Sequence, residues 1–453
     1  MVPDRLGAGF VASVLLARAT VGTGAEIIMQ HTTRESPYPR AEGVIQRTDN
    51  VKTIIVCESD MFMTAPYMED ISAWIWPDAK VEMRAGDYRS GGDLFLVPLG
   101  SDRSGCFDIH NPEHWEGLRR TNTATAYVQV EPSYAFLGES TSRGGRRPKN
   151  DFMEDKVTVV LDVKREPAIV SQGGKNTVLV HSFLLSQYIY REHNLVHELY
   201  HLRPTEQDAK KNTKFCAFLY YNCAVTYRQK FYDLLSTYKQ VDALGKCNYH
   251  KEWTTGYHGN NDPRYRGRNG YDTSIEIQSG YKFVIAFENS VLDGYLSEKI
   301  VNAFLAKSIP IYFGHKTTVL EVFNKDAFID CSIEPEHARV PMNSQAPRDH
   351  YRSQQYAMEH AGYDPKEQLP QFGLKVGITD VPEDHFRQCI EKVRELDRDD
   401  RAYAEMLMQP KFVNGEVPFP ITFERAGREV ARVLGRAGRP PNHAHEPRNG
   451  DEL

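Results

Sequence analysis

The 453-residue chain has no stretch approaching the ~20 consecutive apolar residues that a membrane-spanning helix requires, which excludes such a span within it. Positive charge is in short supply as well. The 55 Lys and Arg against 61 Asp and Glu give a net charge of −6, so the broad basic footprint of a general nucleic-acid binder is missing. Cysteine is sparse: Cys57, Cys106, Cys216, Cys223, Cys247, Cys331 and Cys389 form no CxxC pair, which excludes a zinc knuckle. An odd, scattered set does not read as a disulfide framework. Free thiols are the expected state, with one or two disulfides if the chain matures in an oxidising lumen. The absence of any Asn-x-Ser/Thr sequon leans the same way, against a long secretory history. What is present is ordinary for a globular protein: 40% hydrophobic and 26% charged residues, in a length that accommodates two or three domains.

Apolar, β-branched runs bounded by turn residues recur at 51–57, 94–99, 127–130, 157–163, 177–180, 215–221, 281–288 and 309–313. Continuous runs of this kind suit strands buried on both faces of a parallel sheet. Between them, residues 225–239 place Phe231, Leu234, Leu235 and Tyr238 on one stripe, and 293–307 do the same with Leu296, Ile300, Val301, Phe304 and Leu305. The alternation predicts an α/β architecture. The hydrophilic stretches 140–156 and 252–274 read as surface loops, and the polar segment 203–214 as a domain boundary. Residues 1–44 form a lead-in. Gly7 to Ala17 give it a short apolar core and Ala17-Arg18-Ala19 a small-x-small pattern, but Asp4 cancels the charge of Arg5, so it is only weakly signal-like. Residues 436–453 have nothing apolar to pack and read as a disordered tail.

The most informative segment is 279–315. A buried strand ends in Glu288 and Asn289, Asp293-Gly294 forms a turn, a helix starts near Tyr295, and a second strand follows at Ile309. In open α/β sheets, ligands sit beyond the carboxyl ends of the strands. Lys299 and free N–H groups at a helix start suit a phosphate there, and Glu298 suits a sugar hydroxyl. From spacing alone, Glu298 as a helix-dipole partner and Lys299 as a solvated cation fit equally well.

The pattern FENSxxxGYxSEKIxxAFxxxxIPIYxG resembles the signature of the α-1,3/4-fucosyltransferases, glycosyltransferase family 10. Residues 214–248 resemble the block that precedes it in that family, where a strand ends in Asn, Arg follows six residues later, and a helix leads to a Val-Asp-x-x-Gly turn. The resemblance covers most of residues 214–333. It implies a GT-B fold with two Rossmann-like domains facing a cleft: an acceptor-binding domain over 45–204 and a GDP-fucose-binding domain over 205–435. By match to the family motifs, Arg228 and Lys299 are expected on the donor diphosphate, with Asn289, Tyr295 and Glu298 around the ribose, phosphates and fucose. Cations and helix N–H groups aimed at departing GDP need no metal cofactor for that work, while stimulation by Mn²⁺ stays open. Asp397-Arg398-Asp399, the one Asp-x-Asp, lies in a charged helical stretch and reads as a solvated face.

The family inverts at the anomeric carbon, so the acceptor hydroxyl must lose its proton to a carboxylate. Glu131, ending a short apolar run, is the candidate base, with Glu139 next, although position alone recommends either. The expected partners are GDP-fucose and a glycan or glycoconjugate acceptor, not nucleic acid. The resemblance implies a Golgi or ER lumen setting, but the chain shows no membrane anchor. Two other classes remain open. His197-Glu198-Leu199-Tyr200-His201 is an HExxH match that would make the chain a zinc metalloprotease, although no third ligand is recognisable downstream. The other is a non-catalytic nucleotide-sugar-binding relic.

Overall fold

The computed structural model describes residues 50–57, 64–97, 106–108, 111–128, 157–163, 177–220, 225–245, 247, 268–289, 291–333 and 381–436. All belong to the compact unit Pro37–Leu453. Glu131, Glu139, the lead-in before residue 50, the stretch 140–156 and the tail after Arg436 lie outside the described residues.

In chain order the elements are β1 (Val51–Val56), α1 (Thr64–Ile75), β2 (Lys80–Ala85), β3 (Leu94–Val97), α2 (Pro112–Arg120), β4 (Ala124–Val128), β5 (Val159–Asp162) and β6 (Thr177–Leu179). They continue with α3 (Ser182–Ser186), α4 (Leu195–His201), α5 (Glu206–Lys211), β7 (Lys214–Phe218), α6 (Thr226–Ser236), β8 (Asp242–Ala243), α7 (Gly270–Gln278) and β9 (Tyr281–Phe287). Last come α8 (Glu298–Leu305), β10 (Ile309–Phe313), α9 (Lys316–Val322), β11 (Ile329–Asp330), α10 (Glu383–Arg398), α11 (Asp400–Leu407) and α12 (Phe423–Arg436).

The strands form two parallel sheets, ordered β2-β1-β3-β4-β5-β6 and β11-β10-β9-β7-β8. This is the α/β, two-sheet architecture expected from the sequence. The central strands β3 and β10 are buried along their whole length, as their unbroken apolar runs require. One apolar cluster joins both halves: Ile54, Leu96 and Val159 from the first sheet share it with Leu296, Ile300 and Phe304 beside the second. Full burial of Ile300, Val301 and Phe304 anchors α8, each side chain contributing about 1.5–3 kcal/mol. Helix α12, grouped above with the C-terminal half, packs on α1 of the first. A Cβ on Gly427 would lie 2.7 Å from the Ile71 carbonyl oxygen, so this close helix contact depends on that glycine.

Several expectations need correction. Cys57–Cys106 and Cys331–Cys389 are disulfides, Cys247 is also disulfide-bonded, and Cys216 is the free, buried thiol among the described residues. Sequence spacing is a poor guide here: 49 and 58 residues separate partners whose Cα atoms lie 5.8 Å apart. Residues 270–274, the end of the supposed loop, open helix α7, which is capped by the Asn269 side chain accepting from the Tyr271 N–H. Within the polar segment 203–214, Thr205 and Asp208 close a capping box on the short helix α5. Asp397 is not solvated. Its side chain is 6% exposed and meets Lys239 at 3.0 Å and Lys282 at 3.6 Å, while Asp399 caps α11.

Lys411 is a buried cation with a measurable consequence. Its ammonium donates to the Leu407 carbonyl at 2.6 Å, and burial pushes its pKa from 10.5 down to about 7. The folded state therefore resists protonation that the unfolded chain accepts, and stability should fall as pH drops from 10.5 to about 7. Lys411→Met is expected to be more stable than the parent at pH 7 by about 1–3 kcal/mol, with the gain shrinking towards pH 10. Urea midpoints at the two pH values check this; equal midpoints for parent and variant at pH 7 would remove Lys411 as the cause.

Candidate active site at the carboxyl ends of the second sheet

Because β7, β9 and β10 run parallel, their carboxyl ends and the starts of α6, α8 and α9 gather on one edge. Four of the residues singled out from the sequence meet there in two linked groups. Arg228, in the first turn of α6, is 2% exposed. Its Nε and a terminal nitrogen donate to the Phe287 carbonyl at 3.0 and 2.5 Å, and that terminal nitrogen also donates to Asn289 Oδ1 at 2.7 Å. Its guanidinium lies 4.0 Å over the Tyr220 ring. The Tyr220 hydroxyl in turn donates to the Ile285 carbonyl at 2.7 Å and accepts from the Phe287 N–H at 2.6 Å. Burial raises the pKa of that hydroxyl, against the opposing pull of Arg228.

Lys299 and Glu298 open α8. The Lys299 ammonium donates to Ser297 Oγ at 3.0 Å and lies 3.4 Å from Glu298 Oε1 and 3.8 Å from Glu288 Oε2. Neither side chain of the Lys299–Glu298 pair is fully solvated; each is 19% exposed. Helix α8 starts at Glu298, three residues beyond the expected Tyr295, because Gly294 turns the chain at φ 85° and Ser297 takes the N-cap position. Tyr295 is buried in the cluster shared by the two halves, and its N–H donates to the Leu292 carbonyl.

Glu288 was noted in the sequence only as a polar strand end, yet its carboxylate is fully buried. Oε1 accepts from the Ser297 N–H at 2.8 Å and the Tyr312 hydroxyl at 3.3 Å; Oε2 accepts from Ser297 Oγ at 2.5 Å. Burial raises its pKa, with Lys299 and the Ser297 hydrogen bonds pulling the other way. A glutamate closing an otherwise apolar strand was the signal available for it. The Asp293-Gly294 turn is braced from both halves: the Gly294 N–H donates to Thr318 Oγ1 at 2.7 Å, and His181 Nδ1 lies 3.0 Å from the Gly294 carbonyl.

The HExxH motif lies elsewhere, on the short helix α4. Glu198 Oε1 accepts from the Asn194 N–H at 2.7 Å and Oε2 lies 2.8 Å from His193 Nδ1. Although burial opposes it, the hydrogen bond from His193 draws the Glu198 pKa down, and the same bond raises that of His193. Both carboxylate oxygens thus serve the helix start rather than a water facing His197 and His201. Among the described residues, no group of three or more His, Cys, Asp or Glu is arranged to hold a metal ion.

Residues 209–336, which contain this edge, match the family model for the C-terminal part of glycosyltransferase family 10, the fucosyltransferases. The likeness to family 10 is thus confined to this segment. A protein of Acanthamoeba polyphaga mimivirus named as a fucosyltransferase is 42% identical over 117 residues, 26% of this chain and 18% of its own length. An alpha-(1,3)-fucosyltransferase of Helicobacter pylori is 33% identical over 116 residues, 26% of this chain and 21% of its own. The chain therefore spans about a fifth of the length of these relatives. A crystal structure of an alpha1,3-fucosyltransferase with GDP-fucose aligns over 88% of this chain and 95% of its own at 14% identity, with a TM-score of 0.47. Arg228, Asn289, Tyr295, Glu298 and Lys299 all lie within the matched residues. No described helix is long and apolar enough to cross a membrane.

Proposed function

We propose that the chain is an inverting fucosyltransferase of GT-B type that moves L-fucose from GDP-fucose to a hydroxyl of a glycan acceptor, in α-1,3 linkage. The observation that carries this is the convergence of Arg228 and Lys299 on the end of β9, within a segment matching the fucosyltransferase family model. A protein of net charge −6 that binds a diphosphate has to concentrate cations locally, and this edge does so. In this reading both cations take up the charge that grows on GDP as the glycosidic bond breaks, Asn289 and Glu298 contact the sugar or ribose hydroxyls, and Tyr295 walls the site from the core side. Donor binding belongs to the second half of the chain, 205–435, and acceptor binding to 45–204. The disulfides fit maturation in an oxidising compartment.

The test is a donor screen reading GDP or UDP release with GDP-fucose, GDP-mannose and UDP-sugars. Turnover with GDP-fucose alone is the expected result; turnover only with another donor sinks the assignment. Glu131 is the proposed base. Glu131→Gln should lower transfer by ~10²-fold while leaving GDP binding intact, and full activity would move the base elsewhere.

A further inference from the structure

Glu288 is a fully buried carboxylate in the matched segment, and among the described residues every group contacting its oxygens is a donor or a cation. Oε1 receives the Ser297 N–H and the Tyr312 hydroxyl, Oε2 receives the Ser297 hydroxyl, and the Lys299 ammonium stands 3.8 Å away. An ionised carboxylate only accepts, so this surrounding fits the charged form. Ser297 is the link. It occupies the N-cap position of α8, yet its side chain makes no capping bond to the helix. Its hydroxyl proton goes to Glu288 instead, which leaves the oxygen lone pairs for Lys299 Nζ at 3.0 Å. The result is a directed chain from Lys299 to Ser297 to Glu288, anchored in the core by Tyr312 of β10.

We propose that Glu288 is a positioning residue for Lys299, its buried carboxylate orienting the Ser297 hydroxyl so that the hydroxyl oxygen holds the ammonium at the start of α8. The inference rests on the reading of Lys299 as the donor-diphosphate cation. It adds that the site's cation is placed by a buried carboxylate just beyond β9 that touches no substrate. A neutral amide at 288 would present its N–H₂ to Ser297 as readily as its oxygen, the hydroxyl would lose its fixed direction, and the ammonium would lose Ser297 Oγ as an oriented acceptor along with the opposite charge behind it.

The test is a cycle of Glu288→Gln, Lys299→Ala and the double variant, read by calorimetric titration with GDP and by steady-state kinetics with GDP-fucose. Glu288→Gln is expected to raise the GDP Kd and the KM for GDP-fucose about tenfold at unchanged binding stoichiometry, and to have less than about a twofold effect once Lys299 is gone. A purely structural role would lower stoichiometry and kcat while leaving Kd and KM unmoved, and that outcome overturns the proposal. An equal loss of affinity in both backgrounds overturns it too. If Glu288→Gln fails to fold, Ser297→Ala takes its place in the cycle; it cuts the hydroxyl link and leaves the carboxylate with Tyr312 and the Ser297 N–H. Its expected effect is about fivefold, absent in the Lys299→Ala background, and an equal effect in both backgrounds rejects the link. Failure of the parent protein to bind GDP at all is a separate result that removes the donor-site reading and the inference with it.

Discussion

Replacing Lys299 by Ala is expected to lower fucosyl transfer by ~10²–10³-fold, and Arg228→Ala by a similar factor. Departure of GDP places growing negative charge on a diphosphate, and cations fixed in advance stabilise it without reorganising as the bond breaks. The two are held differently, so their side effects should differ. Arg228 is locked by the Phe287 carbonyl, Asn289 Oδ1 and the face of Tyr220, so its loss also strips a buried carbonyl of its main donor. Arg228→Lys should rescue little, because a point charge cannot reproduce the planar fork that bridges Phe287 and Asn289. Lys299 retains partial exposure, but its removal leaves the carboxylate of Glu288 buried without its cation. GDP release with GDP-fucose, measured beside melting temperature, separates lost chemistry from lost fold. Unchanged turnover in both variants would show that this edge of the sheet is not where the diphosphate is stabilised.

The parts of this site that were legible in the sequence are those written in local pattern. Residues 283–287 and 309–313 are unbroken apolar runs because both faces of β9 and β10 are covered there, and their shortness and flanking turn residues mark them as strands. Strand β2 escaped notice because Lys80–Ala85 lies at the sheet edge with no fully buried residue, so its sequence, KVEMRA, carries charge where a central strand would carry Val or Ile. What sequence could not supply were pairings between distant segments. Asp397 looks solvated within its own helix; Tyr238 and Lys239, just beyond α6, and Lys282 of β9 arrive to enclose it. The cysteines follow the same logic, since only the fold brings residues 49 or 58 apart in the chain into bonding range. Glu288 lies between the two cases. Its place at a strand end is local and visible, whereas its burial depends on Ser297 and Tyr312 closing over it from the next helix and strand.

Gly245→Val is expected to cost more stability than any other single substitution considered, ~3 kcal/mol or more, and to weaken GDP binding in the fraction that still folds. Gly245 ends the Val-Asp-x-x-Gly stretch that contains β8 and runs parallel to β7: the Leu244 N–H donates to the Phe218 carbonyl and the Cys247 N–H to the Tyr220 carbonyl. A Cβ at 245 would stand 2.3 Å from the Tyr220 carbonyl oxygen and 2.6 Å from the Tyr220 nitrogen. These are backbone atoms, which cannot swing aside as a flexible side chain could, so the turn or the end of β7 has to move. Tyr220 is the residue that would be displaced, and its ring forms the platform under Arg228 while its hydroxyl fixes the end of β9. The substitution thus reaches Arg228, the proposed diphosphate cation, through one intervening aromatic ring. Urea unfolding should show a lowered midpoint, and GDP titration at low temperature a weaker Kd for the folded population. A lowered midpoint with GDP affinity intact would mean that Arg228 holds its position without Tyr220, on the Phe287 carbonyl and Asn289 among the described residues.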